Sequence, residues 1–219
     1  MLTEEYPLSD ERVICERHLD ARRYSDGLVK RIFDVVVGGV LLIASLPILA
    51  ATAAAVRLET PGPIFYSQHR YGHGGQPFRI IKFRTMRAEP DAAFRQATAD
   101  DERVTRVGAL LRRTSLDELP QLINVVLGQM ALVGPRPHPL ALDDQYRNLI
   151  PRYDDRYLVR PGVTGLAQVN GARGETPTVA HMARRIESDL TYVSACSLSL
   201  DIRILVATVG VVMSRKNAY

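Results

Sequence analysis

Between Val35 and Val56 the chain runs without a single charge, VVVGGVLLIASLPILAATAAAV, and polar residues crowd both flanks. A straight helix of that length measures roughly 33 Å, enough to cross a hydrocarbon core. The run begins too far from the N-terminus and lacks the cleavage site of a secretory signal. Pro47 stands near its middle, where it removes a backbone donor and crowds the carbonyl of Ile43, so a bend is expected around Ser45-Leu46-Pro47. Lys30 and Arg31 precede the run and Arg57 follows it, so the positive charges assign no inside and outside. Two readings stay open on these residues: a spanning helix, and a re-entrant helix that bends and leaves by the face it entered.

Downstream the pattern changes period. In PGPIFYSQHRYGHGGQPFRIIKFRTM, two β-prone runs flank a glycine-rich turn, which predicts a hairpin closing around Gly72–Gly75. The returning strand carries Lys82, with Arg84 and Arg87 close behind. The segment EPDAAFRQATADDERVTRVGALLRR reads as helix with an apolar face at Leu110 and Leu111, and Gly128 marks the stop of the next helix. Three Pro/Gly-rich loops follow, carrying Arg136, Arg160 and Arg173, and arginines on rigid loops suit bidentate phosphate recognition. Near the end, Ile202–Met213 is apolar and is followed by Arg215 and Lys216. It is too short to span, and it fits either a helix lying along a membrane face or an ordinary buried helix. Residues 1–29 alternate in charge and read as a flexible or surface helical leader.

Composition narrows the classes. A net charge of +4 points to an anionic partner without choosing among phospholipid, phosphorylated substrate and nucleic acid. Nucleic-acid binding leaves the apolar run unexplained, so no nucleic acid is expected. Of the 28 basic residues only Lys30, Lys82 and Lys216 are lysine, which makes Lys82 the lone lysine between the apolar run and the tail. Cys15 and Cys196 form no CxxC pattern and imply no disulfide framework. His69 and His73 lie in too glycine-rich a stretch to share a helical face, and P-loop, GxGxxG and HExxH patterns are absent.

The candidate chemistry sits in RRTSLDELPQLINVVLG. Ser115 and Glu118 have the spacing of a capping box, a purely structural device. Pro120 argues against that, because with Ser115 as N-cap it would fall inside the helix and delete a hydrogen bond. A start nearer Asp117 places Pro120 in the first turn and leaves Asp117 and Glu118 at a helix N-terminus, beside Arg112 and Arg113. One carboxylate can then face a reacting phosphorus while the other holds a metal. A carboxylate about 4 Å from a phosphate anion meets roughly 4 kcal/mol of repulsion per charge pair near a surface, which cations must cancel.

Together KRIFDVVVGGVLLIASLPIL, PIFYSQHRYGHGGQPFRIIKFRTM, RVGALLRRTSLDELPQLINVVLGQM, LVGPRPHP, VRPGVTGLAQVNGARGET and DLTYV resemble the bacterial sugar transferases, the monotopic phosphoglycosyl transferases, from about Lys30 to Tyr219. The tail resembles most the undecaprenyl-phosphate glucose phosphotransferase branch of exopolysaccharide synthesis. The resemblance implies transfer of a hexose 1-phosphate from a UDP-sugar to undecaprenyl phosphate at the cytoplasmic face of the bacterial inner membrane. It implies Asp117 as nucleophile, forming a phosphosugar–aspartate with release of UMP, and Glu118 as ligand of a Mg²⁺ cofactor. Lys82 and Arg112 then resemble the family's phosphate-handling cations, and Arg136 and Arg160 donor-binding groups. The family's membrane helix is re-entrant and broken at its proline, which favours that reading at Ser45 and Pro47. Leu166 and Gln129 depart from the pattern of many members and Ala172 from that of some close relatives. Leu166 and Ala172 bear on the choice of sugar, with glucose expected first, galactose next and an acetamido sugar third.

The expected fold is α+β: a membrane-associated monotopic domain with a re-entrant helix broken at Pro47, a β-hairpin and amphipathic interfacial helices. The divisions are a leader at 1–29, the re-entrant helix at 30–58 and the catalytic domain at 59–219, with membrane lipid as a partner and a homodimer as an open option. Two rival functions share parts of this picture. A Mg²⁺-dependent phosphatase acting on a polyprenyl carrier would release inorganic phosphate, and a non-catalytic membrane scaffold would not need Asp117.

Overall fold

The computed structural model describes residues 11–87, 98, 101–172, 174, 176 and 178–214. Arg173, Arg215, Lys216, residues 1–10 of the leader and most of 88–100 lie outside the described residues. Helices dominate, with two small sheets set among them.

The described part of the leader is helix α1 (Glu11–Asp26), which packs on the body through buried Ala21 and Ser25. Helix α2 (Leu28–Glu59) follows after Gly27 and contains the whole apolar run. By length and composition it is the one helix among the described residues able to cross a membrane. The expected break at Ser45 and Pro47 is absent as a loss of helix, because α2 is continuous through both. Proline deletes only one backbone donor, while Ser45 Oγ donates to the Leu42 carbonyl at 2.9 Å, a back-bond that helices accommodate by bending.

Both ends of α2 rest on the same body. At its start Lys30 Nζ pairs with Asp34 Oδ1 at 2.9 Å and Asp201 Oδ2 at 2.7 Å, and Tyr24 OH donates to the same Asp201 oxygen at 2.8 Å. At its end Arg84 donates to the carbonyls of Thr60 at 2.8 Å and Pro61 at 2.6 Å. Between these anchors Val36, Val40, Ile43 and Leu46 are exposed, Ile43 to 68%.

The hairpin forms as expected: strands β1 (Phe65–Tyr71) and β2 (Pro77–Phe83) pair antiparallel across a 3₁₀ turn at His73–Gly75. Gly74 and Gly75 take positive φ there, which a side chain would resist. After β2, Asp101–Thr105 is a turn bridged to Met86 rather than helix, and helix α3 (Arg106–Thr114) starts only once Thr105 caps Gly108 N–H. A 3₁₀ turn (Leu116–Glu118) leads to helix α4 (Gln121–Val126), which Gly128 terminates at φ 84°.

Strand β3 (Ala131–Val133) pairs parallel with β4 (Gly162–Thr164), and between them run helix α5 (Leu140–Tyr146) and a 3₁₀ turn (Tyr153–Leu158). Helices α6 (Leu166–Val169), α7 (Val179–Ala195) and α8 (Leu198–Ser214) follow among the described residues. The main core joins Phe78, Ile80, Leu122, Val125, Leu132 and Tyr192. Helix α8 is two-sided: Asp201 and Ile204 are buried while Ile202, Val206 and Val209 face outward. The buried-helix reading of the C-terminal stretch therefore holds for one face, and the other is apolar and exposed.

Candidate active site

Ser115 decides how the acidic pair is presented. It takes φ 58°, ψ 16° at the end of α3, a left-handed conformation in which its side chain caps nothing. The capping-box reading therefore fails: the residue ends one helix instead of starting the next. That bend turns the chain sharply, so Asp117 and Glu118 project from a 3₁₀ turn and Pro120 sits just ahead of α4. A non-glycine residue held there costs on the order of 1 kcal/mol, the kind of strain that collects at functional sites.

Three further elements converge on this turn. Lys82 shares the inward face of β2 with Phe78 and Ile80 and places Nζ 2.7 Å from Glu118 Oε1. Arg136, on the proline-bounded loop after β3, forks onto the same carboxylate, with Nη1 3.0 Å from Oε2 and Nη2 on Oε1. Arg112, in the last turn of α3, acts on Asp117 through its charge. Four of the five residues expected to handle phosphate or chemistry beyond Asp117 are thus brought together with it. Arg160 is the exception. Its guanidinium meets the carbonyls of Ser25 and Gly128 and the Asp26 carboxylate, so it fastens α1 to the end of α4.

The two carboxylates live in opposite states. Burial works against the charge of Glu118, but Arg136 and Lys82 outweigh it and hold its pKa well below the carboxylate range. Asp117 has no side-chain hydrogen bond among the described residues. Burial and the neighbouring Glu118 charge push it up to about 6, against the pull of Lys82, Arg136 and Arg112. Burial also lowers the pKa of Lys82, with Glu118 opposing the shift.

For a metal, the donor set is small: among the described residues no group of three or more His, Cys, Asp or Glu converges. Glu118 Oε2 accepts from one nitrogen of Arg136 and keeps a lone pair, and Asp117 stands open beside it. That suits a Mg²⁺ held by one or two carboxylates together with substrate phosphates and water, the usual mode for this ion.

Residues 25–215 match the sequence model of the family described as bacterial sugar transferase. The chain belongs to that family. It is similar to a UDP-glucose:undecaprenyl-phosphate glucose-1-phosphate transferase of Caulobacter vibrioides, 50% identical over 90% of this chain and 74% of the relative. An Escherichia coli protein of the same description is 49% identical over 88% of this chain, which spans only 42% of that relative's length. An exopolysaccharide production protein of Rhizobium leguminosarum is 40% identical over 89% of this chain and matched over its full length.

In this bacterial sugar transferase, three site neighbours were not singled out from the sequence. Arg70 on β1 donates to the Pro137 carbonyl at 3.3 Å and lies near Arg136; burial, then Arg136, bring its pKa down to about 10. Arg156 holds the Arg136 carbonyl from beneath. Gln121, one turn past the acidic pair, is 1% exposed with neither amide atom paired among the described residues. Among so many arginines nothing in the pattern separates Arg70 and Arg156 from surface ones. A glutamine directly after Asp-Glu-Leu-Pro was the one readable signal.

Proposed function

We propose that this chain transfers glucose 1-phosphate from UDP-glucose to undecaprenyl phosphate through a phosphosugar–aspartate on Asp117, releasing UMP. The observation that carries the reading is the asymmetry of the pair: Glu118 is clamped by Lys82 and Arg136, while Asp117 stands unclamped beside them. The printed activity of the Caulobacter and E. coli relatives supports the substrates.

In the first step an Asp117 oxygen forms a bond to the β-phosphorus. The bond from that phosphorus to the bridging oxygen breaks, and UMP leaves with the electron pair. In the second, an oxygen of undecaprenyl phosphate attacks the same phosphorus and returns the Asp117 carboxylate, giving the lipid diphosphate sugar. Splitting one displacement in two is the advantage of the covalent route. Lys82, Arg136 and Arg112 offset the roughly 4 kcal/mol repulsion per charge pair between nucleophile and phosphate. Glu118 would hold a Mg²⁺, which when bound would supply Lewis-acid stabilisation of charge on the leaving group. Helix α2, with both ends on one body and an apolar middle, is read as entering and leaving the cytoplasmic leaflet of the inner membrane at one face.

The test is UMP release by detergent-purified protein given undecaprenyl phosphate and separate UDP-sugars, with and without Mg²⁺, and with Asp117→Asn as control. Mg²⁺-dependent UMP from UDP-glucose, lost in the variant, is the expected result. Inorganic phosphate in place of UMP would mean a carrier phosphatase. No product from well-folded protein with any donor would leave the scaffold reading.

A further inference from the structure

The loop at 134–139 that carries Arg136 is fastened at several backbone groups. Gly134 N–H donates to Thr164, the Pro135 carbonyl accepts from Gly162 N–H at 2.9 Å, and the Pro137 carbonyl accepts from Arg70. The prolines at 135, 137 and 139 fix φ at alternate positions. The Arg136 carbonyl, at the centre, is taken by the side chain of Arg156.

We propose that Arg156 is a positioning residue of the transfer site, fixing the backbone at Arg136 so that the Arg136 fork meets Glu118 in register. The proposal rests on the transfer reading above. Arg156 is 2% exposed and lies in a cluster of its own. Nη1 is 2.7 Å from His138 Nδ1 and 3.2 Å from Asp143 Oδ1, and Nη2 is 2.9 Å from Asp189 Oδ2. Tyr153 OH donates to the same Asp143 oxygen at 2.5 Å. Burial and the Arg156 charge hold the His138 pKa well down, so its ring is neutral and accepts at Nδ1. A buried group of charges like this is a poor source of stability, since apolar packing of equal volume does as well. What it provides is direction: a planar guanidinium held at two carboxylates can aim one nitrogen at one carbonyl, and an ammonium cannot do all three. On α7, one turn before Asp189, Arg185 donates to the carbonyls of Ala172 at 3.1 Å and Gly174 at 2.7 Å. The same helix therefore also holds the backbone at Ala172 and Gly174.

Arg156→Lys keeps the buried charge and loses the fork. Steady-state UMP release is measured for wild type, R156K, R136K and the double variant, each with a melting curve. R156K is expected to lower kcat/KM about tenfold in the wild-type background and by less than about twofold in the R136K background, because it acts through Arg136. Equal losses in both backgrounds, or wild-type activity in R156K, overturn the proposal alone. A wild-type protein that releases no UMP overturns the transfer reading and the proposal with it. If R156K does not fold, Asp189→Asn loosens the anchor while leaving Arg156 in place, and the same cycle with R136K has the same two outcomes.

Discussion

A carboxylate that attacks a phosphate must be ionised and yet not tied up in hydrogen bonds. Asp117 meets the second condition at the expense of the first: its pKa is pushed up to about 6, from 3.8 for an ordinary aspartate. For a reaction that needs the carboxylate, kcat/KM should fall about tenfold per pH unit below about 6, a steepness read directly from a pH–rate profile. The same shift has a stability consequence of definite sign. With the folded pKa above the unfolded one, the ionised form is the one folding penalises, so the contribution of Asp117 to stability rises as pH falls through 6 toward 3.8. Asp117→Asn removes that penalty at every pH. We expect it to abolish turnover while raising stability by about 1–3 kcal/mol at pH 8, with the gap to wild type closing near pH 4. Melting temperatures of both proteins across that range check it, and a variant less stable than wild type at pH 8 would contradict it.

At the scale of elements, the turn between α3 and α4 does the presenting. Ser115→Gly relieves the left-handed strain and should leave stability unchanged or raise it by about 1 kcal/mol, whereas Ser115→Val should lower it by more. Denaturant titration of the three proteins separates these outcomes, and a destabilised glycine variant would mean the side chain matters where its backbone does not. This turn also shows what the sequence could reveal. The hairpin, the stop at Gly128 and the convergence of Lys82 and Arg136 on the acidic pair were legible, through glycine conformations, strand alternation and the resemblance to a family. Pro120 argued against Ser115 as N-cap. The left-handed exit of Ser115 from α3 and the delay of α4 to Gln121, past the expected start near Asp117, were not legible, because a capping box and a left-handed exit share the same letters. Nor was Arg160 separable from Arg136. Each follows a loop and neighbours a proline, and only tertiary contact sends one to Glu118 and the other to Ser25 and Gly128. Pro47 predicted a broken helix, but a single missing donor does not stop a helix whose two ends are both held.

For the molecule as a whole, the exposed middle of α2 is costly in water, at roughly 1.5–3 kcal/mol for each large side chain that remains uncovered. Lipid is the proposed cover. Ile43→Asp combined with Leu46→Asp should move the protein from the membrane pellet to the supernatant, since each charge at depth costs about 2.5–3.5 kcal/mol. Retention in the pellet after a high-salt wash would assign the attachment to another surface, such as the outward face of α8.

The cluster that closes the start of α2 also sets an order of events. Tyr24 and Asp201 are 177 positions apart, and Lys30 has to wait for the same aspartate. At roughly 5–20 residues per second, translation takes on the order of 10–35 s to supply it. For most of that interval the most apolar segment, Val35 to Val56, has been synthesised while Asp201 has not, and Lys30 has only Asp34 as a carboxylate partner. The nascent chain thus has its greasiest helix long before it has a body to hang it from. On the reading proposed above, the bilayer would serve as the first template on which the enzyme is assembled, with α8 arriving last to lock the N-terminal helices in place.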